Sequence, residues 1–156
     1  MAADLLAELA FGSNSRLYNK LVLDEQKVQI LGAESPMNRD PSLLGVVAMV
    51  KRESDLDYVR QEIDRTIDQF QAQAVEQEKL DQLKRRNKYA FLMSLDTPEH
   101  VAGGLARFTA LSGGIEIVDR YYAALERVTP EDIREAARKY LVPQRRTVVV
   151  LKGARS

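Results

Sequence analysis

Apolar residues open the chain in a helical rhythm. Leu5, Leu6 and Leu9 share one side, and alanines fill the gaps, so Ala2 to Ala10 is predicted as helix. Gly12-Ser13-Asn14 breaks the rhythm with turn formers, and Ser15 is placed to cap a second, short amphipathic helix. Leu17, Leu21 and Val28 lie on its apolar side, with Arg16, Asn19, Lys20, Asp24 and Glu25 polar. The pattern then shortens to a strand at Val28 to Ala33, weakened by Gly32. SPMNRDPS, residues 35–42, reads as a loop, and LLGVVAMV, residues 43–50, as a strand apolar on both faces, hence covered on both or central in a sheet. A hairpin is the economical way to join the two strands.

Helical spacing then dominates. Ser54 or Asp55 caps a helix whose stripe is Leu56, Val59, Ile63, Ile67 and Phe70. A second long helix runs from about Gln77 to Leu95, with Leu80, Leu83, Asn87, and Ala90 or Phe91 on its stripe. Thr97-Pro98-Glu99 starts another, carrying Val101, Leu105 and Phe108; Gly103-Gly104 inside it predicts a close contact or a kink. Gly113-Gly114 ends it, and Ile115 to Val128 follows with Val118, Tyr121 or Tyr122, and Leu125 inward. Thr129-Pro130-Glu131-Asp132 repeats the start signal, with an acid three residues after the cap. Ile133, Ala136, Ala137 and Tyr140 form the buried side of that last helix, which Pro143 stops. TVVVL, residues 147–151, is predicted as a final, buried strand. The fold class is therefore α+β, a mostly antiparallel sheet with helices packed on one face. The sheet is small, and a further strand from before Met1 would complete it.

Composition narrows the picture. At 156 residues the chain is a single domain, 1–156; 45% hydrophobic and 29% charged residues make it globular. The N-terminus resembles the middle of a helix and lacks a signal peptide's basic start, so the chain is expected to be part of something longer. Formal net charge is zero, no apolar run is long enough to span a bilayer, and no cysteine is present. These features argue against nucleic acid and membrane partners and exclude disulfides and a cysteine nucleophile.

Candidate chemistry is sparse. The sole histidine, His100, sits in a helix first turn, and neither HExxH nor HxxEH occurs. No phosphate-cradling glycine loop and no GxSxG are present. Glu78 with Gln82, and Asp64 with Asp68, are helix neighbours read as solvated faces, not acid/base pairs. The run Lys84-Arg85-Arg86-Asn87-Lys88 spreads around a helix behind Glu76, Glu78 and Asp81; it reads as a salt-bridged exposed face, with a helical interaction module as the alternative. Tyr121-Tyr122 and Phe108 read as core. Catalytic residues: none; metal ligands: none; substrate-binding residues: none.

Three segments carry a resemblance: GSNSRLYNKLVLDEQKV (12–28), KLDQLKRRNKYAFLMSLDTPEHVAGGLARF (79–108) and RVTPEDIREAARKYLVPQRRTVVVL (127–151). Together they resemble the insulinase/pitrilysin family of zinc metallopeptidases, which includes the mitochondrial processing peptidases. The resemblance is to the trailing, non-catalytic half-unit, here a C-terminal half-unit taken from a longer chain. It implies a domain that shapes the peptide-substrate chamber and braces its catalytic half, inactive alone, with zinc held in the catalytic half of the parent. The implied partners are that catalytic half, on the same chain or on another subunit, and peptide substrate through the parent. Family members that complete a catalytic centre place an arginine and, seven residues on, a tyrosine just after the SRLY-like segment. Those positions hold Val22 and Gln29, which lack a guanidinium and a phenolic hydroxyl. The Phe11 to Val28 stretch is therefore read as a covering helix rather than a source of substrate contacts. Alternatives are a scaffold domain of a degenerate, non-peptidase parent and the helical interaction module. The compartment stays open between bacterial periplasm and cytoplasm. If a strand is missing, an exposed sheet edge is expected to drive self-pairing into a homodimer.

Overall fold

In the computed structural model, residues 1–35, 40, 42–112, 114 and 116–153 are described. Helix α1, Ala2–Phe11, buries Leu5, Leu6, Ala7, Ala10 and Phe11. A short turn, α2 (Arg16–Tyr18), passes directly into a π-helix, Asn19–Asp24. Strands β1 (Val28–Glu34) and β2 (Gly45–Val50) pair antiparallel in a two-stranded sheet. After a 3-10 turn come α3 (Leu56–Ala72), α4 (Gln77–Met93), α5 (Pro98–Ser112), α6 (Ile117–Arg127) and α7 (Pro130–Tyr140). This is the α+β arrangement, with helices gathered on one face of an antiparallel sheet.

The core forms where α1, α3 and α7 meet beneath the sheet. Leu5, Leu6 and Phe11 pack with Leu17, Leu21, Val28, Leu31, Val59, Leu80, Leu125 and Ile133, all buried. The register explains which strand residues join them. Leu31 faces Ala48 and Ala33 faces Val46, and this side turns inward. Ile30 faces Met49 and Gly32 faces Val47, and this side turns out, with each large side chain about half exposed. The sequence pattern predicted a strand covered on both faces or central in a sheet; among the described residues it has cover on one face and pairs only with β1. Leu43 is exposed and precedes the strand.

Two clasps hold the helices. The Gln71 amide donates to the Leu141 carbonyl at 2.8 Å, and Arg138 donates back to the Gln71 carbonyl at 2.7 Å, so α3 and α7 meet at their C-terminal ends. Arg86 of α4 reaches Glu8 of α1 at 2.5 Å. Helix α7 starts with the capping box its sequence announces: Thr129 Oγ1 accepts from the Asp132 N–H at 3.2 Å, and Asp132 accepts from the Thr129 N–H at 2.8 Å. That second bond is the main cause that holds the Asp132 carboxyl below its ordinary value.

Several expectations need correction. Thr147–Leu151 forms no strand with the sheet; Val148 to Leu151 are exposed. A β-branched run favours extended backbone, but a strand requires a partner's hydrogen bonds, and among the described residues the sheet pairs only β1 with β2. Tyr140 is exposed, not buried. Helix α5 continues through Gly103-Gly104. A Cβ at Gly103 would meet open space, and one at Gly104 would lie 3.5 Å from Leu95 Cδ2, an ordinary contact, so no close approach demands glycine. The Phe108 side chain, Gly113, Ile115 and most of the 35–42 loop lie outside the described residues.

Candidate functional site

The segment from Ser15 to Ile30 concentrates the unusual backbone. Ser15, buried, accepts the Tyr18 N–H at 3.0 Å and starts the first turn. Leu17 and Leu21 anchor it in the core. The chain then widens into the π-helix, a feature that accumulates at functional positions. Gln26 has φ of 52°, the left-handed region that non-glycine residues seldom occupy. This reversal lets the Lys27 N–H reach the Leu21 carbonyl at 3.0 Å and turns the chain into β1. A register shift between Val28 and Ile30 leaves Gln29 without an opposite residue. Bulges of this kind re-aim a side chain, and Gln29 is exposed. Val22 instead packs against the core.

A charged network braces this segment against α3. Lys20 Nζ lies 2.5 Å from Glu62 Oε2, and Arg65 donates to the other Glu62 oxygen. Tyr58 donates its hydroxyl proton to Glu25 at 2.8 Å, and Lys27 Nζ sits 4.0 Å over the Tyr58 ring while reaching Asp55 at 3.4 Å. Glu62 is buried, yet its carboxyl is held below the ordinary range because the Lys20 hydrogen bond outweighs desolvation. Lys20 is raised in turn, first by Glu62 and then by Tyr58. A lowered carboxylate contributes stability above its unfolded value near 4.5 and loses it as pH falls through the folded value. A raised lysine contributes below 10.5 and loses it as pH rises through its folded value. Chemical denaturation across pH should therefore show stability falling on the acid side, and Glu62→Gln should flatten that limb. An unchanged acid limb in the variant would remove Glu62 from the account.

The other candidates fall into structural roles. His100 is exposed, and its Nδ1 lies 2.7 Å from Asp96 of the same turn. Among the described residues no group of three or more His, Asp or Glu can hold a metal ion, so a zinc site does not fit this donor set. Glu78 accepts a hydrogen bond from Gln82 on an exposed face, and Asp64 pairs with Arg146 rather than with Asp68. The basic run does not make one surface. Lys84 is buried and donates to the carbonyls of Glu126 at 3.0 Å and Val128 at 2.6 Å, capping the end of α6. Arg86 is taken by Glu8, leaving Arg85 and Lys88 exposed. Tyr121 and Tyr122 meet edge to face at 5.2 Å, and Phe91 lies 5.4 Å from Tyr122. Burial, then the neighbouring Tyr121, pushes the Tyr122 hydroxyl up to about 12. A concavity of about 220 Å³ is lined by Met1, Asp4, Glu8, Ser35, Asn87 and Tyr121. Its acids are already engaged: Asp4 by the Met1 amine and Ser35, Glu8 by Arg86. No described helix is long and apolar enough to cross a membrane.

Sequence reasoning missed the π-helix, the bulge at Gln29 and the burial of Lys84. Only the last left a trace, since Lys84 follows Leu80 and Leu83 on their stripe.

Residues 1–87 match the family described as Peptidase M16 inactive domain. No curated protein sequence matches the chain significantly. Among solved structures, a protease from Helicobacter pylori aligns with a TM-score of 0.80 at 20% identity, over 92% of this chain and 35% of its own. The chain thus spans about a third of that protease. The "inactive peptidase domain of a putative zinc protease" from Bordetella parapertussis aligns with a TM-score of 0.76 at 24% identity, over 94% of this chain and 79% of its own. A Bordetella pertussis Tohama I protein, also described as a "putative zinc protease", gives 0.75 at 23% identity, over 94% of this chain and 80% of its own. At these identities the structures show a shared fold.

Proposed function

The chain belongs to the peptidase M16 inactive-domain family, and from that premise we propose that it forms a non-catalytic wall of a zinc peptidase's substrate chamber and braces the zinc-bearing half. The observation that carries this reading is the pair of positions after the SRLY-like turn. Val22 is committed to core packing, and Gln29 offers an amide in place of a phenol. Neither supplies the charged or acidic donor that would stabilise a developing oxyanion. What the segment does provide is rigidity. The Lys20–Glu62–Arg65 contacts and the Tyr58–Glu25 bond fix it to α3, as a bracing element requires. Zinc, on this reading, belongs to the partner half, which holds it and supplies the hydrolytic chemistry. This domain contributes shape, support and exclusion of bulk water.

The test mixes the chain with the zinc-bearing half of its parent. The chain alone should neither cleave a peptide library nor bind zinc stoichiometrically. The zinc-bearing half should bind the chain and gain peptidase activity from it. Zinc-dependent cleavage by the chain alone would end the proposal, as would a partner half whose activity and binding ignore the chain. Binding without activity from the pair would favour the scaffold reading, which the lack of a guanidinium and a phenol at Val22 and Gln29 also supports.

A further inference from the structure

Where the π-helix meets α3, two carboxylates face the same lysine, and they are unequally served. Glu62 has both oxygens engaged: Oε2 takes Lys20 Nζ at 2.5 Å, and Oε1 takes Arg65. Glu25, which follows the π-helix directly, does not. A carboxylate offers about four acceptor sites. Among the described residues only the Tyr58 hydroxyl uses one on Glu25, donating to Oε1 at 2.8 Å. Glu25 Oε2 is buried and accepts no hydrogen bond from the described residues. A buried acceptor in that condition is destabilising, so the site favours any donor that can reach it.

Lys20 is the donor within reach. Its Nζ stands 4.0 Å from Glu25 Oε1, about 1 Å beyond hydrogen-bond distance. Its side chain is 42% exposed, and a lysine carries three rotating donors on a flexible stem, so the ammonium has room to move. The Tyr58 ring lies alongside, with its centroid 5.5 Å from Nζ, and an aromatic face favours a cation passing over it. The other nearby cations are committed. Lys27 is held by Asp55 at 3.4 Å and by the Tyr58 ring at 4.0 Å, and Arg65 is turned to Glu62.

We infer that Lys20 is a two-position strap, its ammonium passing between Glu62 and Glu25. On Glu62 it ties the π-helix to α3. On Glu25 it ties the π-helix to its own end and fills the acceptor capacity that Tyr58 leaves open. The Tyr58–Glu25 bond then carries the polar attachment to α3. The segment can draw away from Glu62 without leaving its lysine unpaired, so the brace has a slack setting as well as a tight one.

Double-mutant cycles in different backgrounds test this, read by urea unfolding at neutral pH. Lys20→Met and Glu25→Gln should be nearly additive in the native chain, where Lys20 rests on Glu62. In the Glu62→Gln chain the same pair should be strongly coupled. There Glu25→Gln should raise the unfolding equilibrium constant several-fold, because Glu25 has become the lysine's partner. Glutamine at position 25 still accepts from Tyr58, so the cycle reads the lysine. Lys27→Met in place of Lys20→Met should show no such gain. Glu62→Asp, which keeps the charge and shortens its reach, is a second background should Glu62→Gln fail to fold, and it should raise the coupling in the same direction. Coupling of equal size in every background overturns the inference, as does coupling of Glu25 to Lys27 instead of Lys20.

Discussion

Lys84→Met should lower the unfolding free energy by about 2–4 kcal/mol, since each buried carbonyl left without a donor costs roughly 1–3 kcal/mol. Methionine keeps much of the side chain's length and volume, so the loss reads the ammonium group and not the packing. In the native chain that ammonium sits at the C-terminal end of α6, bound to the Glu126 and Val128 carbonyls. It lies where the helix dipole favours a cation, one residue before the capping box that opens α7. Removing it loosens the joint between two helices at once. Arg85→Met, the next residue on an exposed face, is the control and should stay within about ±0.5 kcal/mol. Urea titrations of the two variants decide the matter. Equal midpoints would mean that Lys84 is one more surface base.

Phe11→Ala should cost about 3–5 kcal/mol, the range for removing a buried aromatic ring and leaving a cavity. Phe11 is fully buried at the end of α1, just before the Gly12 break. The glycine fits this role sterically, because a Cβ there would stand 2.4 Å from the Glu8 carbonyl oxygen. Phe11→Leu should recover most of the loss, since it refills the space with another apolar side chain. A Phe11→Ala variant with wild-type thermal stability would show the ring to be dispensable.

The elements that were legible in the sequence were those specified by local chemistry. Thr129-Pro130-Glu131-Asp132 announces a capped helix, and the capping box is there. Leu80 with Leu83, and Ile133 with Ala136 and Ala137, are buried as their spacing predicts. What was illegible depends on distant partners. TVVVL has the residues of a strand, but whether it becomes one depends on a neighbouring edge. Lys84 sits in a basic run, and only α6 arriving beside it turns a surface charge into a cap. The π-helix and the left-handed Gln26 lie in the short stretch that carries both Leu21 and Val28 into the core, and no propensity records them. At the candidate site the residue types at positions 22 and 29 were readable. Their surroundings, core for Val22 and a bulge for Gln29, were not.

The packing of α1 against α7 has a consequence for the order of events during synthesis. Helix α1 finds its main neighbour in α7, the last helix of the described chain. Leu5, Leu6 and Phe11 must leave the ribosome long before Ile133 and Ala137 can cover them. Closing that loop costs entropy that grows only slowly with length, so the finished fold is not penalised much. The waiting time is a different matter: at roughly 5–20 residues per second, the part of α1 that α7 covers stays open for many seconds. Until then β1, α2 and α4, which also pack on α1, can cover only part of it.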